Sequence, residues 1–223
     1  MAVTPIAITA LEKEGLEKSR LIMRDYASIL LLMALPAATG IALVAEPAGF
    51  ILGESVRAQA VEIMPLIAYA GVLNGMITYY AHRAFMLSNH THMFLAAMIP
   101  PAVLNVGLNL WFIPMWGLMG AVYATVISYG LGFVLAVIIG RRYYPLPLPI
   151  RAFVEISLAC LVMAGVVMSV PIAEAVPDFV EVLIKAAIGA VVYGFVCYAI
   201  NAANCRETVQ TIAAKIAQKR KSG

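Results

Sequence analysis

The stretch NVGLNLWFIPMWGLMGAVYATVIS, residues 105 to 128, contains no charged residue. It carries Asn105 and Asn109 one helical turn apart, then a proline at position 114, and then two glycines. Pro114 lacks an N–H and disfavours helical geometry in the residue before it. The pattern therefore predicts two apolar helices joined by a turn at IPMWG. A tryptophan on each side of this turn is typical of a membrane interface, where amphipathic rings are favoured.

The composition of the whole chain agrees with this apolar stretch. Of the 223 residues, 63% are hydrophobic and 12% are charged, and the mean hydropathy is +0.92. A soluble domain is about half apolar and about a quarter charged. So few charges cannot cover a water-soluble surface. The sequence therefore predicts an all-α integral membrane protein.

A helix needs about 20 mostly apolar residues to cross the hydrocarbon core of a bilayer. Six segments have this length and character: 25–46, 63–86, 92–114, 117–140, 150–171 and 178–200. We expect a cytoplasmic N-terminal segment over 1–24, a six-helix transmembrane bundle over 25–200 and a basic amphipathic tail over 201–223. In the tail, basic residues flank apolar ones at helical spacing, which favours binding to anionic membrane lipid over binding to nucleic acid.

The distribution of Lys and Arg predicts the orientation of the spans. With six spans, Arg57 alone falls on one side of the membrane, and Lys185 lies within the sixth span. All other basic residues fall on the opposite side. Basic residues favour the cytoplasmic face, so both ends of the chain are expected in the cytoplasm. The basic residues on that side are Lys13, Lys18, Arg20, Arg24, Arg83, Arg141, Arg142, Arg151, Arg206, Lys215, Lys219, Arg220 and Lys221.

The second predicted span carries the densest polarity. Asn74, Thr78 and His82 lie four residues apart on one helical face, and Tyr79 and Arg83 adjoin them. Polar residues within a span face the interior of a bundle or an aqueous cavity rather than lipid. The five residues are therefore candidates for a translocation cavity. For Arg83, extension of the side chain to the nearby interface is the alternative.

Two further features concern the third span. Asn105 and Asn109 share one face, where they either form hydrogen bonds between helices or line the same cavity. Pro100 and Pro101 lie midway along this span, as Pro36 does along the first. Each proline removes a helical hydrogen bond. The three prolines are candidate hinges, with a purely structural bend as the alternative.

The fourth predicted span has a small residue at every fourth position. Close approach of backbones supplies much of the contact between helices in lipid, so such a row predicts helix packing. At about 100° per residue the row drifts roughly 40° at each step and can serve two neighbours in turn. The row consists of Gly120, Ala124, Ser128, Gly132, Ala136 and Gly140.

Two pairs of charged residues within or near the spans are expected to have a structural role rather than a catalytic one. Glu181 and Lys185 lie four residues apart, as do Arg151 and Glu155, and each pair is expected to form an ion pair. The loop SNHTH, 88–92, has two histidines, but no Cys, Asp or Glu lies within ten residues to complete a metal site. No catalytic motif is visible. We therefore expect no enzyme activity, no cofactor and no metal.

Three stretches resemble a known family. NVGLNLWFIPMWGLMGAVYATVISY resembles a stretch of bacterial polysaccharide and lipopolysaccharide flippases, the oligosaccharide-lipid exporters with a MATE-like fold in the MOP superfamily. That family shows an Asn-rich helix end, an Ip-x-x-G-x-x-GA turn and an AT-x-x-S helix. LLMALPAATGIALVAEPAGFILG, with Pro36, Gly40 and Gly53, resembles its seventh helix and outer turn. RRYYPLPLP, 141–149, resembles the cytoplasmic loop after its tenth helix. The match covers roughly residues 10–170.

The resemblance implies that the chain is the C-terminal lobe of a flippase built from two six-helix bundles around a central cavity. The cavity walls of such a lobe include its first two helices, which here carry Pro36 and the face of Asn74, Thr78 and His82. The implied function is to move lipid-linked oligosaccharide precursors across the bacterial inner membrane for polysaccharide or lipopolysaccharide biosynthesis. The implied partners are the lipid-linked sugar, membrane lipid, and an N-terminal lobe supplied by a separate chain or by a second copy. No nucleic acid is expected.

Other functions compete with this one. A truncated gene would leave a folded membrane remnant without transport activity. Half of a cation-coupled multidrug exporter would share the fold but is expected to carry buried acids, and Glu155 and Glu181 both lie near span ends. A membrane glycosyltransferase ranks last, because the sequence shows no catalytic site.

Overall fold

The structure is a computed structural model that describes residues 3–51, 54–88, 90–171 and 176–207. Helices account for most of this part of the chain, and it contains no strand. A five-residue π-helical segment, Ile77–Ala81, follows directly on α3. The helices are α1 Val3–Lys13, α2 Leu16–Ala48, α3 Glu54–Met76, α4 Arg83–Leu87, α5 Met93–Arg141, α6 Ile150–Ser169 and α7 Asp178–Ile200.

The described residues contain five helical stretches that are long and apolar enough to cross a membrane: 16–48, 57–87, 93–141, 150–169 and 178–200. The chain is therefore an all-α, multi-pass membrane protein. The predicted span 178–200 coincides with α7. The helix that holds the first predicted span begins at Leu16, so position 24 is not a helix boundary.

The longest helix, α5, reverses direction at Gly117. This residue has φ +57° and ψ −134°, which are not helical angles. A Cβ atom placed on Gly132 would lie 3.4 Å from Cγ of Pro101. Ala97 and Ala136 belong to one buried cluster. The two halves of α5 therefore pack antiparallel, and we call 93–116 the first arm and 118–141 the second arm.

The turn lies within the predicted IPMWG segment, but at its last residue, Gly117, rather than at Pro114. The first arm continues through Pro114, and the helical angles are broken only at Gly117. Proline fixes φ near −65°, which is compatible with helical backbone angles even though one helical hydrogen bond is lost. A chain reversal with φ of +57° strains any residue with a Cβ, whereas glycine adopts it readily. Glycine, not proline, therefore makes the turn.

The row of small residues lies on the packed face of the second arm, and all six members are buried. Near the turn, a methyl group on Gly120 would overlap the carbonyl oxygen of Phe112 in the first arm. At the far end, a Cβ atom on Gly140 would lie 2.9 Å from Cβ of Ala84 in α4. The row therefore faces the first arm near the turn and a different helix at its other end.

Helix α3 separates two regions of the molecule. On one side, α2, α6 and α7 pack against one another, and α2 also packs on α3. We call these three helices the apolar bundle. On the other side, α5 packs on α3, on the π-helical segment and on α4. The site described below lies on this second side.

Segments that are predicted to be cytoplasmic meet at one end of the structure. The hydroxyl of Tyr144 donates to Oγ of Ser19 at 2.8 Å, and Ser19 donates to the Ala7 carbonyl at 2.8 Å. Burial is the main cause that raises the pKa of Tyr144 above its usual value, so its hydroxyl stays protonated and donates. The backbone N–H of Ala203 donates to Oε2 of Glu155 at 3.4 Å. Residues 208–223 of the predicted tail lie outside the described residues.

Ion pairs form where the spacing predicts them. Lys185 Nζ lies 2.6 Å from Oε1 of Glu181. Arg151 Nε lies 2.7 Å from Oε1 of Glu155. These two predictions are confirmed. A third pair, which the sequence did not indicate, joins the starts of two helices: an Arg57 guanidinium nitrogen lies 3.1 Å from Oδ2 of Asp178.

Candidate functional site

A polar cleft lies between α3, its π-helical extension and both arms of α5. Its volume is about 290 Å³. Ala97, Pro101 and Gly132 form part of its apolar lining. No Asp, Glu, Lys or Arg is among the described residues that line it. Its polar lining consists of Asn74, Thr78, His82, Asn105, Thr125, Ser128 and Tyr129.

The π-helical segment aligns the α3 side of the cleft. The backbone N–H of His82 donates to the Ile77 carbonyl at 3.0 Å, five residues back. Residues four apart drift around an α-helix of 3.6 residues per turn, and the wider turn of a π-helix reduces this drift. Thr78 and His82 thus stay on the cleft face with Asn74. Single π-turns inside helices occur frequently at functional sites.

His82 is held at one end of the cleft by aromatic packing. Its ring meets the Phe94 ring edge-on, with 4.3 Å between ring centroids. The Phe85 ring lies farther away, at 6.5 Å. Phe94 belongs to the first arm and Phe85 to α4, so His82 contacts both elements that bound the cleft at this end.

Three residues predicted for the cavity do not line the cleft. Tyr79 is 51% exposed and is not among the residues that line the cleft, whereas its neighbour Thr78 is. Arg83 lies along its own helix, where its guanidinium contacts the Tyr79 carbonyl at 3.4 Å and the Met86 sulfur at 3.2 Å. This arrangement agrees with the alternative given above, in which the Arg83 side chain extends towards the membrane interface rather than into the cavity. The third residue is Asn109, which is kept out of the cleft lining by its position near the turn of α5.

Asn109 lies closer to the turn, where the two arms come together. Its amide donates to the backbone carbonyl of Asn105 at 2.8 Å and to Oδ1 of Asn105 at 3.0 Å. The two arms approach so closely here that a Cβ atom on Gly120 would overlap the Phe112 carbonyl oxygen, which leaves no space for a cleft between them. Asn109 thus supports Asn105, which lines the cleft, rather than lining it directly.

The sequence did not single out Thr125 and Tyr129, which also line the cleft. They lie four residues apart on the second arm, on either side of Ser128. This spacing was a usable signal, since it places both on one helical face. Ser128 and Gly132 were predicted as packing residues, and the structure places both at the cleft as well.

Ser128 has an unusual hydrogen-bonding state. Ser128 is only 3% exposed, and its hydroxyl has no hydrogen-bond partner in the described part of the chain. Hydroxyl groups within helices commonly bond to the carbonyl four residues back. Thr125 does so, donating to the Ala121 carbonyl at 2.9 Å. The cleft therefore contains a buried polar group that the protein leaves unsatisfied.

The prolines differ in their surroundings. Helix α5 continues through Pro100, which is exposed, and through Pro101, which is buried at the cleft. Without an N–H, Pro101 cannot donate to the carbonyl of Ala97, four residues back. No described side chain donates to that carbonyl either. Pro36 instead lines an apolar groove of about 470 Å³ in the apolar bundle. The hinge role of all three stays a prediction.

The loop histidines lie away from the cleft. The ring centroids of His90 and His92 are 5.8 Å apart, and His90 packs on the Tyr143 ring at 4.5 Å. Nδ1 of His90 lies 2.6 Å from the Ser88 carbonyl. Within the described ranges, no three His, Cys, Asp or Glu side chains converge to hold a metal ion.

Comparison with known proteins connects these features to a function. No protein-family model and no solved structure matches the chain. The sequence is similar to the protein named "Probable flippase AglR" of Haloferax volcanii, with 28% identity over 206 residues. The similarity is therefore to a protein described as a probable flippase. It covers 90% of this chain but 42% of that protein, so the chain spans less than half the length of its relative.

The similarity and the membrane helices together support a role in a membrane transporter of the flippase kind. The relative comes from Haloferax volcanii, whereas the motifs in this sequence resemble bacterial flippases. The bacterial inner membrane and the MATE-like arrangement therefore stay predictions.

Proposed function

We propose that this chain is one lobe of a flippase that moves lipid-linked oligosaccharides across the membrane by alternating access. The observation that carries the proposal is a cleft between membrane helices whose described lining has seven polar side chains and no Asp, Glu, Lys or Arg. Polar side chains at membrane depth are costly and mark substrate pathways. Transport of this kind needs no bond to be made or broken, so the chain acts as a transporter and not as an enzyme.

The proposal includes six membrane crossings. The reversal at Gly117 supports two crossings by α5, one for each arm. With six crossings, α1 and residues 201–207 share a side, and they lie at the same end of the fold. The bias of Lys and Arg makes this side cytoplasmic. Labelling of single cysteines at positions 9 and 204 from the two sides of sealed vesicles tests this orientation, and opposite accessibility would contradict it.

The cleft is open on one side in this chain, since Asn74 and Thr78 are exposed. We infer that a second lobe closes it, as in a transporter made of two bundles that rock against each other. The greater length of the relative supports a two-lobe arrangement.

The charged groups expected at the cleft distinguish a flippase for lipid-linked sugar from a cation-coupled drug exporter. A cation-coupled exporter is expected to hold an acid at its cavity, and no described residue that lines the cleft is an acid. Glu155 and Glu181 are engaged in ion pairs with Arg151 and Lys185. The uncharged cleft therefore favours the sugar lipid.

Flipping in proteoliposomes tests the proposal. The chain is purified with the membrane proteins that bind it and is reconstituted with a fluorescent lipid-linked oligosaccharide. A reagent that does not cross the membrane then measures the rate of exposure in the other leaflet. We expect Asn74→Leu to slow flipping about tenfold, which corresponds to about 1.4 kcal/mol, and Ser169→Ala to leave it unchanged. Wild-type rates equal to those of protein-free liposomes would refute the proposal.

A further inference from the structure

The flippase proposal leaves open which part of the carried lipid meets the polar cleft. A lipid-linked oligosaccharide has an apolar tail, an anionic phosphate group and a glycan rich in hydroxyl groups. These three parts require different surroundings, and the described side chains of the cleft distinguish them.

The phosphate is excluded by charge. A buried phosphate needs Arg, Lys or several backbone N–H groups to compensate its charge. The described cleft lining contains neither Arg nor Lys. The guanidinium of Arg83, although close in sequence, contacts the Tyr79 carbonyl and the Met86 sulfur along its own helix. An anion in the cleft would therefore find no Arg or Lys counter-charge among its described lining residues.

The tail is excluded by hydrogen-bonding groups. Asn74, Thr78 and Tyr129 line the cleft, and none of them forms a side-chain hydrogen bond with another described residue. Amides and hydroxyls both donate and accept hydrogen bonds. A hydrocarbon chain would leave all of these groups unsatisfied, whereas sugar hydroxyls donate and accept in the same way.

Ser128 gives independent support for a ligand. Its hydroxyl is buried and unpartnered, whereas the Thr125 hydroxyl, one turn away, is satisfied by its own helix. A buried polar group without a partner destabilises the folded protein. Ala97, whose carbonyl loses its helical donor because of Pro101, also lines the cleft. A ligand hydroxyl would satisfy the Ser128 hydroxyl.

We propose that the polar cleft binds an uncharged, hydroxyl-bearing part of the glycan. This inference rests on the proposed transport of a lipid-linked oligosaccharide. The cleft volume of about 290 Å³ is just below the range of about 300 to 1,000 Å³ for small-molecule sites. The cleft therefore takes a short part of the glycan and discriminates against acidic sugars, which would bring a carboxylate into a site without a counter-charge.

Equilibrium binding in lipid nanodiscs tests the proposal, and it avoids detergents whose sugar heads would compete. The protein, with the membrane proteins that co-purify with it, is titrated with three lipids on one polyisoprenyl phosphate anchor. The first carries a neutral disaccharide, the second a disaccharide with a uronic acid, and the third no sugar. We expect the wild type to bind the neutral disaccharide lipid most tightly.

Two cleft variants and one matched control sharpen the test. Ser128→Ala and Asn74→Leu should each weaken binding of the neutral disaccharide lipid by about fivefold to a hundredfold, the range for one unpaired buried group. Both should leave binding of the sugar-free lipid unchanged. Ser169→Ala removes a hydroxyl outside the cleft, one that bonds to the Val166 carbonyl, and should leave all three affinities unchanged. Ser128→Ala should not lower the melting temperature of the ligand-free protein.

The outcomes separate this proposal from the proposed function. If the wild type flips the lipid but binds all three lipids alike, or if neither cleft variant affects binding, the sugar site is wrong and the flippase proposal stands. If the neutral disaccharide lipid binds selectively but is not flipped, the sugar site stands and the transport proposal is wrong.

Discussion

The apolar bundle and the polar cleft differ in whether a side chain replaces the hydrogen-bond donor that a proline removes from its helix. Each contains a proline within a long helix, and each proline deprives a carbonyl of its helical donor. In the apolar bundle, the affected carbonyl of Leu32 accepts a hydrogen bond from the Tyr193 hydroxyl at 2.8 Å, so another helix replaces the donor that Pro36 lacks. At the cleft, no described side chain donates to the Ala97 carbonyl.

The buried hydroxyls show the same contrast. Thr39 of α2 donates to the Leu35 carbonyl at 3.0 Å, and its oxygen lies 3.0 Å from the Tyr69 hydroxyl of α3. Ser128 at the cleft has no partner in the described ranges. The polar groups of the apolar bundle are satisfied by the bundle itself and by the neighbouring helix α3, which suits a rigid scaffold. The cleft leaves polar groups available, which suits a site that exchanges its ligand.

The largest expected effect concerns the turn region that closes the cleft at one end. Gly120→Ala should lower the free energy of unfolding by about 3 kcal/mol, because the added methyl group overlaps the Phe112 carbonyl. Gly130→Ala on the same arm is the matched control. A Cβ atom there meets nothing within 4 Å, so this change should be neutral or should stabilise by up to about 1 kcal/mol.

Unfolding in detergent with a graded denaturant measures both glycine variants. Equal effects of the two substitutions would show that the arms do not meet closely at Gly120. The reversal of α5 at Gly117 would then lose its main packing support.

The next effect concerns the apolar bundle. Tyr193→Phe should destabilise by about 1 kcal/mol, within the range for hydrogen bonds between membrane helices. In a Pro36→Ala background it should cost almost nothing, because the restored N–H at position 36 donates to Leu32 itself. A double-mutant cycle of unfolding free energies measures this coupling. Additive effects would mean that Tyr193 does not replace the donor missing at Pro36.

The smallest of these effects concerns the Arg57–Asp178 ion pair between α3 and α7. Its side chains are 41% and 40% exposed, and pairs so exposed contribute less than about 1 kcal/mol. Arg57→Gln should therefore destabilise only slightly, and the difference from wild type should shrink as salt screens the charges. A large loss that does not depend on salt would indicate that Arg57 acts through packing instead.

The sequence predicts the helices well because length and hydropathy decide them. The span 178–200 coincides with α7, and the turn of α5 falls within three residues of its predicted position. The π-helical segment was not predictable from composition, since it depends on how α3 meets α5. Nor was the bond from Tyr193 to Leu32, which joins residues 161 positions apart.

The site was partly predictable for the same reasons. Asn74, Thr78 and His82 share a helical face by spacing alone, and the structure places them together at the cleft. Thr125 and Tyr129 were not singled out, because their position depends on where the two arms of α5 meet. Asn109 was a candidate for the cavity or for hydrogen bonding between helices, and its sequence position alone does not show that the arms close beside it.

One pair of substitutions tests the contrast between the apolar bundle and the polar cleft most directly. The free energy of unfolding is measured for ligand-free Thr39→Val and Ser128→Ala proteins. Thr39→Val should lower it by about 0.6 kcal/mol, the average for a hydrogen bond between membrane helices. Ser128→Ala should leave it unchanged or raise it, since the lost hydroxyl has no partner in the described chain. A loss for Ser128→Ala as large as that for Thr39→Val would contradict the account.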